Sequence, residues 1–274
     1  MTNVFVSVQN VDTKNTKWID TRFSLQDIEA GRNKYAESHI AGAVYWDLER
    51  DLSDMTKSAG RHPMPEKEAL TELFRVSGLA LDDHIIIYDD GGSPFAARAW
   101  WLLQYAGFTN AFIALEGFAA LQEAGVAIAT MPTQPIKTAV TPKWDESIYA
   151  SRQFVEETVA EKTASALLDA RSAERYRGEV EPIDPIAGRI PGALNFDWEQ
   201  LKKNGLFNMD AAVKEQLGQV IDAATEVTVY CGSGVTAAPL YAMLKHNGYE
   251  NTRLYVGSYS DWISEEDANV EKDC

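Results

Sequence analysis

The sequence predicts an α/β protein made by duplication, with two tandem domains that each hold a mostly parallel sheet flanked by helices. Three observations predict it. Four segments recur in the same order in the two halves of the chain. Short β-branched runs are each followed by a Gly-rich turn and then a helical stretch. The composition is that of an ordinary globular protein, 274 residues with 45% hydrophobic and 24% charged, long enough for two medium domains.

The repeat runs as follows. WIDTR (Trp18 to Arg22) returns as LLDAR (Leu167 to Arg171), and SHIAGAVYWDL from Ser38 returns as GRIPGALNFDW from Gly188. HIIIYDDGG from His84 returns as EVTVYCGSG from Glu226, and GFTNAFIALEGFAAL from Gly107 returns as GYENTRLYVGSYSDW from Gly248. The offset falls from 149 and 150 in the first two pairs to 142 and 141 in the last two, so order is kept and the second copy is shorter. HIIIY and EVTVY are too short and too β-branched for helices and read as buried strands. Helices are expected over Phe95 to Tyr105 and Thr236 to His246, the second ending before Gly248, a good C-cap position. Thr130 to Trp144 carries Pro132, Pro135 and Pro142 without amphipathic period and reads as a linker. The expected division is residues 1–129, the linker 130–144, and residues 145–274.

Charge and composition exclude several functions. The 25 basic against 41 acidic residues give a net charge of −16, a surface that repels phosphate backbones, so no nucleic-acid partner is expected. No apolar run approaches the roughly 20 residues that span a bilayer, so no membrane partner is expected. The segment MTNVFVSVQNV lacks the basic and apolar regions of a signal peptide, which makes the cytoplasm the expected address. Only Cys231 and Cys274 occur, with no zinc-type spacing, so neither a disulfide framework nor a metal is expected.

The chemistry is expected at Cys231. In YCGSGVTAAPL it follows a buried strand and precedes a helix, where ligand sites of open α/β sheets lie. Gly232 and Gly234 let the loop curl until successive N–H groups converge, with Ser233, Val235 and Thr236 completing the turn into the helix N-terminus. Such a cradle stabilises an anion at the sulfur and suits a nucleophilic thiolate or a persulfide. A buried core cysteine is the bland alternative, which a Gly-rich loop opening a helix disfavours. In the first copy Asp89 stands where Cys231 stands in the second, and Asp89 reads as a turn residue before Gly91 and Gly92.

The tandem repeat and the loop CGSGVT, with DxR, HIxGA-like and GSxxxW segments in order, resemble the two-domain rhodanese family, most of all its 3-mercaptopyruvate sulfurtransferase branch. The resemblance covers nearly the whole chain. It implies two rhodanese-like domains, an inactive N-terminal copy and an active C-terminal one. It also implies transfer of sulfane sulfur from a small-molecule donor to Cys231 as a persulfide, without metal or organic cofactor. The acceptor would be a thiol, such as thioredoxin or a small thiol, or cyanide. Family members that prefer the dianion thiosulfate carry basic residues in this loop. CGSGVT has none, which suits the monoanion 3-mercaptopyruvate. A tyrosine-phosphatase reading fails because Ala237 stands where that chemistry needs Arg.

The resemblance also assigns supporting residues. Arg175 matches a substrate-binding arginine; the second arginine of the family is absent, with Ile183 in its place. Arg189 could supply that cation or could be a structural replacement for a family histidine. His62, in AGRHPMP, matches a histidine proposed to polarise the loop serine, here Ser233, with Glu49 as its acidic partner. His62 and Glu49 lie in one domain and Ser233 in the other, so the site is expected between domains. Trp262 and His39 read as packing and loop residues, and Cys274 as exposed and inert. The competing readings are a thiosulfate sulfurtransferase on the same nucleophile and a non-catalytic rhodanese-like module that binds partners or senses redox state. The intact CGSGVT loop disfavours the latter.

Overall fold

The computed structural model describes residues 3–11, 13 and 15–273. Two five-stranded sheets form, and every pairing within them is parallel. In the first the spatial order is Phe5–Val6, Ala111–Ala114, His84–Tyr88, Thr16–Asp20, Val44–Tyr45. In the second it is Tyr149–Ala150, Thr252–Tyr255, Val227–Tyr230, Ala166–Asp169, Leu194–Asn195. The order is the same in both, so the duplication seen in the sequence is a duplication of topology. The central strands are buried along nearly their whole length because helices cover both faces, as parallel sheets require.

The DxR motif has one structural job in both copies. Asp20 and Arg22 form a buried ion pair at 2.6 Å, and Asp169 and Arg171 form its equivalent at 2.7 Å. The free guanidinium donors bond the carbonyls of Ser38 and Gly188. The cation faces lie over Phe118 at 4.0 Å and Tyr259 at 4.1 Å. Tyr88 and Tyr230 close each network by accepting the N–H of Ile40 and Ile190. Each charge is thus both paired and hydrogen-bonded, the condition under which burial is tolerated.

The helices that follow the two Gly-rich loops, Phe95–Tyr105 and Ala237–His246, pack on each other across the domain boundary, with the Trp100 and Tyr241 rings 6.1 Å apart. One continuous apolar core therefore joins the domains. The second helix stops as the sequence predicts: Gly248 takes φ +92°, and the N–H groups of Gly248 and Tyr249 satisfy the Lys245 and Leu244 carbonyls. Residues 130–144 contain no helix or strand and are pinned by bonds such as Thr138 N–H to the Arg75 carbonyl. Among the described residues no helix is long and apolar enough to cross a membrane.

This packing makes each domain cover the other's Gly-rich loop. The antiparallel hairpin Lys202–Lys203/Leu206–Phe207 of the second domain sits on Gly91 and Gly92 of the first. It is so close that a Cβ at Gly92 would lie 1.9 Å from the Gly205 oxygen. In return, the segment of the first domain that carries Arg61 and His62 covers the Cys231 loop.

Candidate active site

The all-buried strand Val227–Tyr230 ends at Cys231, and the helix from Ala237 begins six residues later. Between them the backbone folds around the sulfur, and the Gly234 N–H donates to Sγ at 3.1 Å. Gly234 has φ +75°, and a Cβ there would lie 2.1 Å from the Val256 oxygen, so only glycine fits. The GSxxxW segment locks the loop from below. Ser258, at φ +57°, accepts the Cys231 N–H at 3.1 Å, while the N–H groups of Tyr259 and Ser260 bond the Cys231 and Gly232 carbonyls. Val235 is buried and Thr236 occupies the helix N-cap position. Trp262, buried, donates its indole N–H to the Asn269 carbonyl and is a packing residue.

His62 is brought to the loop from the other domain, its Nδ1 2.9 Å from Ser233 Oγ. Burial, with the cations Arg98 and Arg61 nearby, pushes its pKa down to about 4, so the ring is neutral at pH 7. Arg175, on the short helix Ala173–Arg177, lies at Gly232: a Cβ on that glycine would be 3.4 Å from its Nη2. Glu181 holds the Arg175 guanidinium through two bonds, at 2.7 and 3.1 Å.

Two expectations are corrected. Glu49 is not brought to His62. It sits in a tight turn organised by Asp47, which accepts its N–H at 2.9 Å, and it lines a surface groove with Arg50, Asp51 and Asp54. The backbone behind His62 is held instead by Arg98, which donates to the His62 and Leu52 carbonyls. Nor is Arg189 a second cation of the loop. Its guanidinium pairs with Glu271 and Asp273, lies 4.3 Å over Tyr176 and bonds the Tyr176 carbonyl. His39 does the same in the first copy, stacked 3.9 Å over Tyr35 with Nδ1 on the Tyr35 carbonyl oxygen. The two tyrosines then bond the matching carbonyls of Ala43 and Ala193. Arg189 thus holds in the second copy the place that His39 holds in the first. Cys274 lies outside the described residues.

Three residues of the site were missed in the sequence. Arg61 stands beside His62, and a Cβ on Gly232 would be 2.6 Å from its Nη2, so the second cation comes from the other domain. Asp184 bridges the two arginines, pairing with Arg61 and with Arg175 Nη2 at 3.1 Å, its side chain 2% exposed. Arg98 is fully buried, reaches the Gly234 carbonyl at 3.5 Å and has its pKa pushed down to about 10 by burial, which the nearby Cys231 sulfur opposes. A lone charge in the otherwise apolar FAARAWWLLQY helix was the signal for Arg98. With the guanidiniums of Arg61 and Arg175 over Gly232, Cys231 is only 1% exposed. A cavity of about 680 Å³ between the domains lies at the far ends of the two packed helices, lined by Gln104, Lys143 and Lys245, and takes no part in this arrangement.

The arrangement offers a sulfur nucleophile at a helix N-terminus, two guanidiniums at its rim, and a neutral imidazole against a hydroxyl. Comparison with known proteins places the chain as a whole. The family model of the rhodanese-like domain matches residues 8–124 and again 152–265. A probable 3-mercaptopyruvate sulfurtransferase of Pseudomonas aeruginosa is 38% identical over 253 residues, 90% of this chain and 89% of that protein. A putative thiosulfate sulfurtransferase, SseB of Mycobacterium tuberculosis, is 39% identical over 254 residues, 90% of this chain and 87% of that one. The crystal structure of SseA from Escherichia coli, described as a 3-mercaptopyruvate sulfotransferase, superposes with a TM-score of 0.80 at 28% identity, covering 94% of this chain and 99% of SseA. With both repeats matched by the family model, the chain belongs to the rhodanese-like family and is a sulfurtransferase.

Proposed function

We propose that the protein moves sulfane sulfur from 3-mercaptopyruvate through a persulfide on Cys231 to a thiol acceptor, such as thioredoxin or a small thiol, or to cyanide. The observation that carries this reading is the pair of guanidiniums, Arg61 from one domain and Arg175 from the other, at the rim of a sulfur cradle whose own side chains are neutral. One carboxylate between two arginines would place the donor's sulfur toward Cys231. The Cys231 thiolate attacks that sulfur, forming the S–S bond as the C–S bond breaks, and the electron pair leaves on carbon as the pyruvate enolate. The proton carried by the transferred sulfur passes to that carbon, giving pyruvate and a persulfide anion. Ser233, hydrogen-bonded to neutral His62, is the group we assign to relay it. Gly232, Gly234, Val235 and Thr236 shape the loop around the sulfur. An acceptor thiolate then attacks the outer sulfur and releases the Cys231 thiolate.

The reaction calls on no metal or organic cofactor, and the acidic surface fits a cytoplasmic enzyme that engages neither nucleic acid nor membrane. Thiosulfate is the second reading, favoured by the SseB relative, a putative thiosulfate sulfurtransferase, and by the capacity of two arginines to hold a dianion. Initial rates with 3-mercaptopyruvate and with thiosulfate, each with cyanide as acceptor, decide between them. A higher kcat/KM for thiosulfate would overturn the mercaptopyruvate assignment.

A further inference from the structure

We propose that Asp184 is an internal anion that occupies the donor-carboxylate position between Arg61 and Arg175 and sets the charge selectivity of the site. The inference rests on the reading of those two arginines as the donor's anchor.

Asp184 meets both guanidiniums that lie over Gly232, one from each domain, and its carboxylate is nearly inaccessible to water. Glu181 cannot serve the same purpose. It forms no ion pair with Arg61, is shared between Arg171 at 3.3 Å and Arg175 at 2.7 Å, and also accepts the N–H groups of Ile183 and Asp184. Asp184 alone spans the gap a donor carboxylate would need, and while it does so Cys231 is closed off. Its segment, residues 178–188, has no regular structure beyond Gly178 and carries the exposed apolar side chains of Val180, Ile183 and Ile186. Its hold on the site is thus made by carboxylates rather than by a core, and one of them can be exchanged.

Exchange has a charge rule. A monoanionic donor that takes the arginines replaces one carboxylate by another and leaves the balance at the rim unchanged. The displaced Asp184 remains tethered a few ångströms away and repels the donor in proportion to the donor's charge. Removing Asp184 frees the arginines equally for either donor, but a dianion also suffers twice the repulsion of a monoanion, so thiosulfate should gain more than 3-mercaptopyruvate. This explains how a rim with two arginines can still favour a monoanion.

The test separates this inference from the donor assignment. Cys231 is alkylated with iodoacetate and with iodoacetamide, reagents of equal size that differ by one negative charge, in the wild type and in Asp184→Asn. The ratio of the two rates cancels any change in thiol reactivity and needs no donor. It is expected to rise about tenfold in the variant, as the loss of one negative charge at the rim requires. In the donor arm, kcat/KM is expected to rise about tenfold for 3-mercaptopyruvate, the same monoanion factor, and by about a further fivefold for thiosulfate, whose second charge is also relieved. Should asparagine compromise folding, Asp184→Ser removes the same charge with a smaller side chain. An unchanged alkylation ratio overturns the proposal. So does an equal change, or an equal fall, for both donors, since Asp184 would then only position the arginines. Thiosulfate proving the better donor of the wild type would instead sink the donor assignment and leave the alkylation result to be judged by itself.

Discussion

Asp89 and Cys231 hold the same place in the two copies, and each fills its cradle with an acceptor. The Asp89 carboxylate takes the N–H of Gly91 at 2.8 Å and of Ala96 at 3.0 Å, while Cys231 Sγ takes the N–H of Gly234 at 3.1 Å. The first copy has kept the turn and holds a carboxyl group where the second holds a sulfur. Burial nevertheless pushes the Asp89 carboxyl up to about 7, against the pull of its two N–H donors. The hairpin seated on Gly91 and Gly92 leaves no room for a substrate there.

This gives a stability test. Unfolded, Asp89 loses its proton near the ordinary aspartate value; folded, it keeps it to about 7, so the unfolded chain binds fewer protons in between. Its contribution is therefore fully present below about pH 4 and is lost as pH rises to about 7. Urea denaturation of the wild type and Asp89→Asn across that window should show the wild type losing up to about 4 kcal/mol relative to the variant. A difference independent of pH would contradict the assignment.

For the nucleophile, Cys231→Ser is expected to abolish transfer with either donor. Incubation of the wild type with donor should add about 32 Da, one sulfur atom, to the peptide that contains Cys231, as covalent catalysis requires. Full activity in the serine variant would end the whole mechanism. Cys274→Ser is expected to leave turnover unchanged.

Among the arginines, Arg61→Ala and Arg175→Ala should each lower kcat/KM for 3-mercaptopyruvate by about 10- to 150-fold, the loss of one charge-assisted hydrogen bond of roughly 1.5–3 kcal/mol. Arg189→Ala should change kcat/KM by less than about twofold and lower the Tm, because it breaks a packed cation–aromatic contact and not a substrate contact. A kinetic defect in Arg189→Ala equal to that of Arg61→Ala would restore Arg189 to the site.

His62 titrates near 4 in the folded protein, below its ordinary value, so its charge does not change between pH 5 and 8. The kcat profile over that range should carry no inflection from His62, whereas His62→Gln should lower kcat by about 10²-fold or more across it, the range of a lost acid–base relay. The folded state resists protonation of this ring, so its stability contribution is present above about pH 6.5 and is lost as pH falls toward 4. A kcat limb near 6.5 that vanishes in His62→Gln would show that the ring is charged during turnover.

Much of this molecule was legible in one dimension because its information is local. The order of strand, turn and helix follows from apolar period and glycine placement. The candidate nucleophile follows from one cysteine that opens a Gly-rich loop after a buried strand, and the expected silence of the first copy from the aspartate at position 89. His62 and Ser233 could be paired in advance by resemblance, though 171 positions separate them.

Only the tertiary structure decided who stands beside whom across the domain boundary. Arg61 reaches Gly232, Arg98 underlies the Gly234 carbonyl and Asp184 joins Arg61 to Arg175 because the Phe95–Tyr105 and Ala237–His246 helices pack face to face. That geometry leaves no periodicity in the chain. Arg189 and Glu49 failed as site residues for the same reason. An arginine at a loop position reads identically whether it turns toward a thiol or toward the Glu271 and Asp273 carboxylates. Which it does is settled by packing and by the nearest counter-charge, and both exist only once the chain has folded.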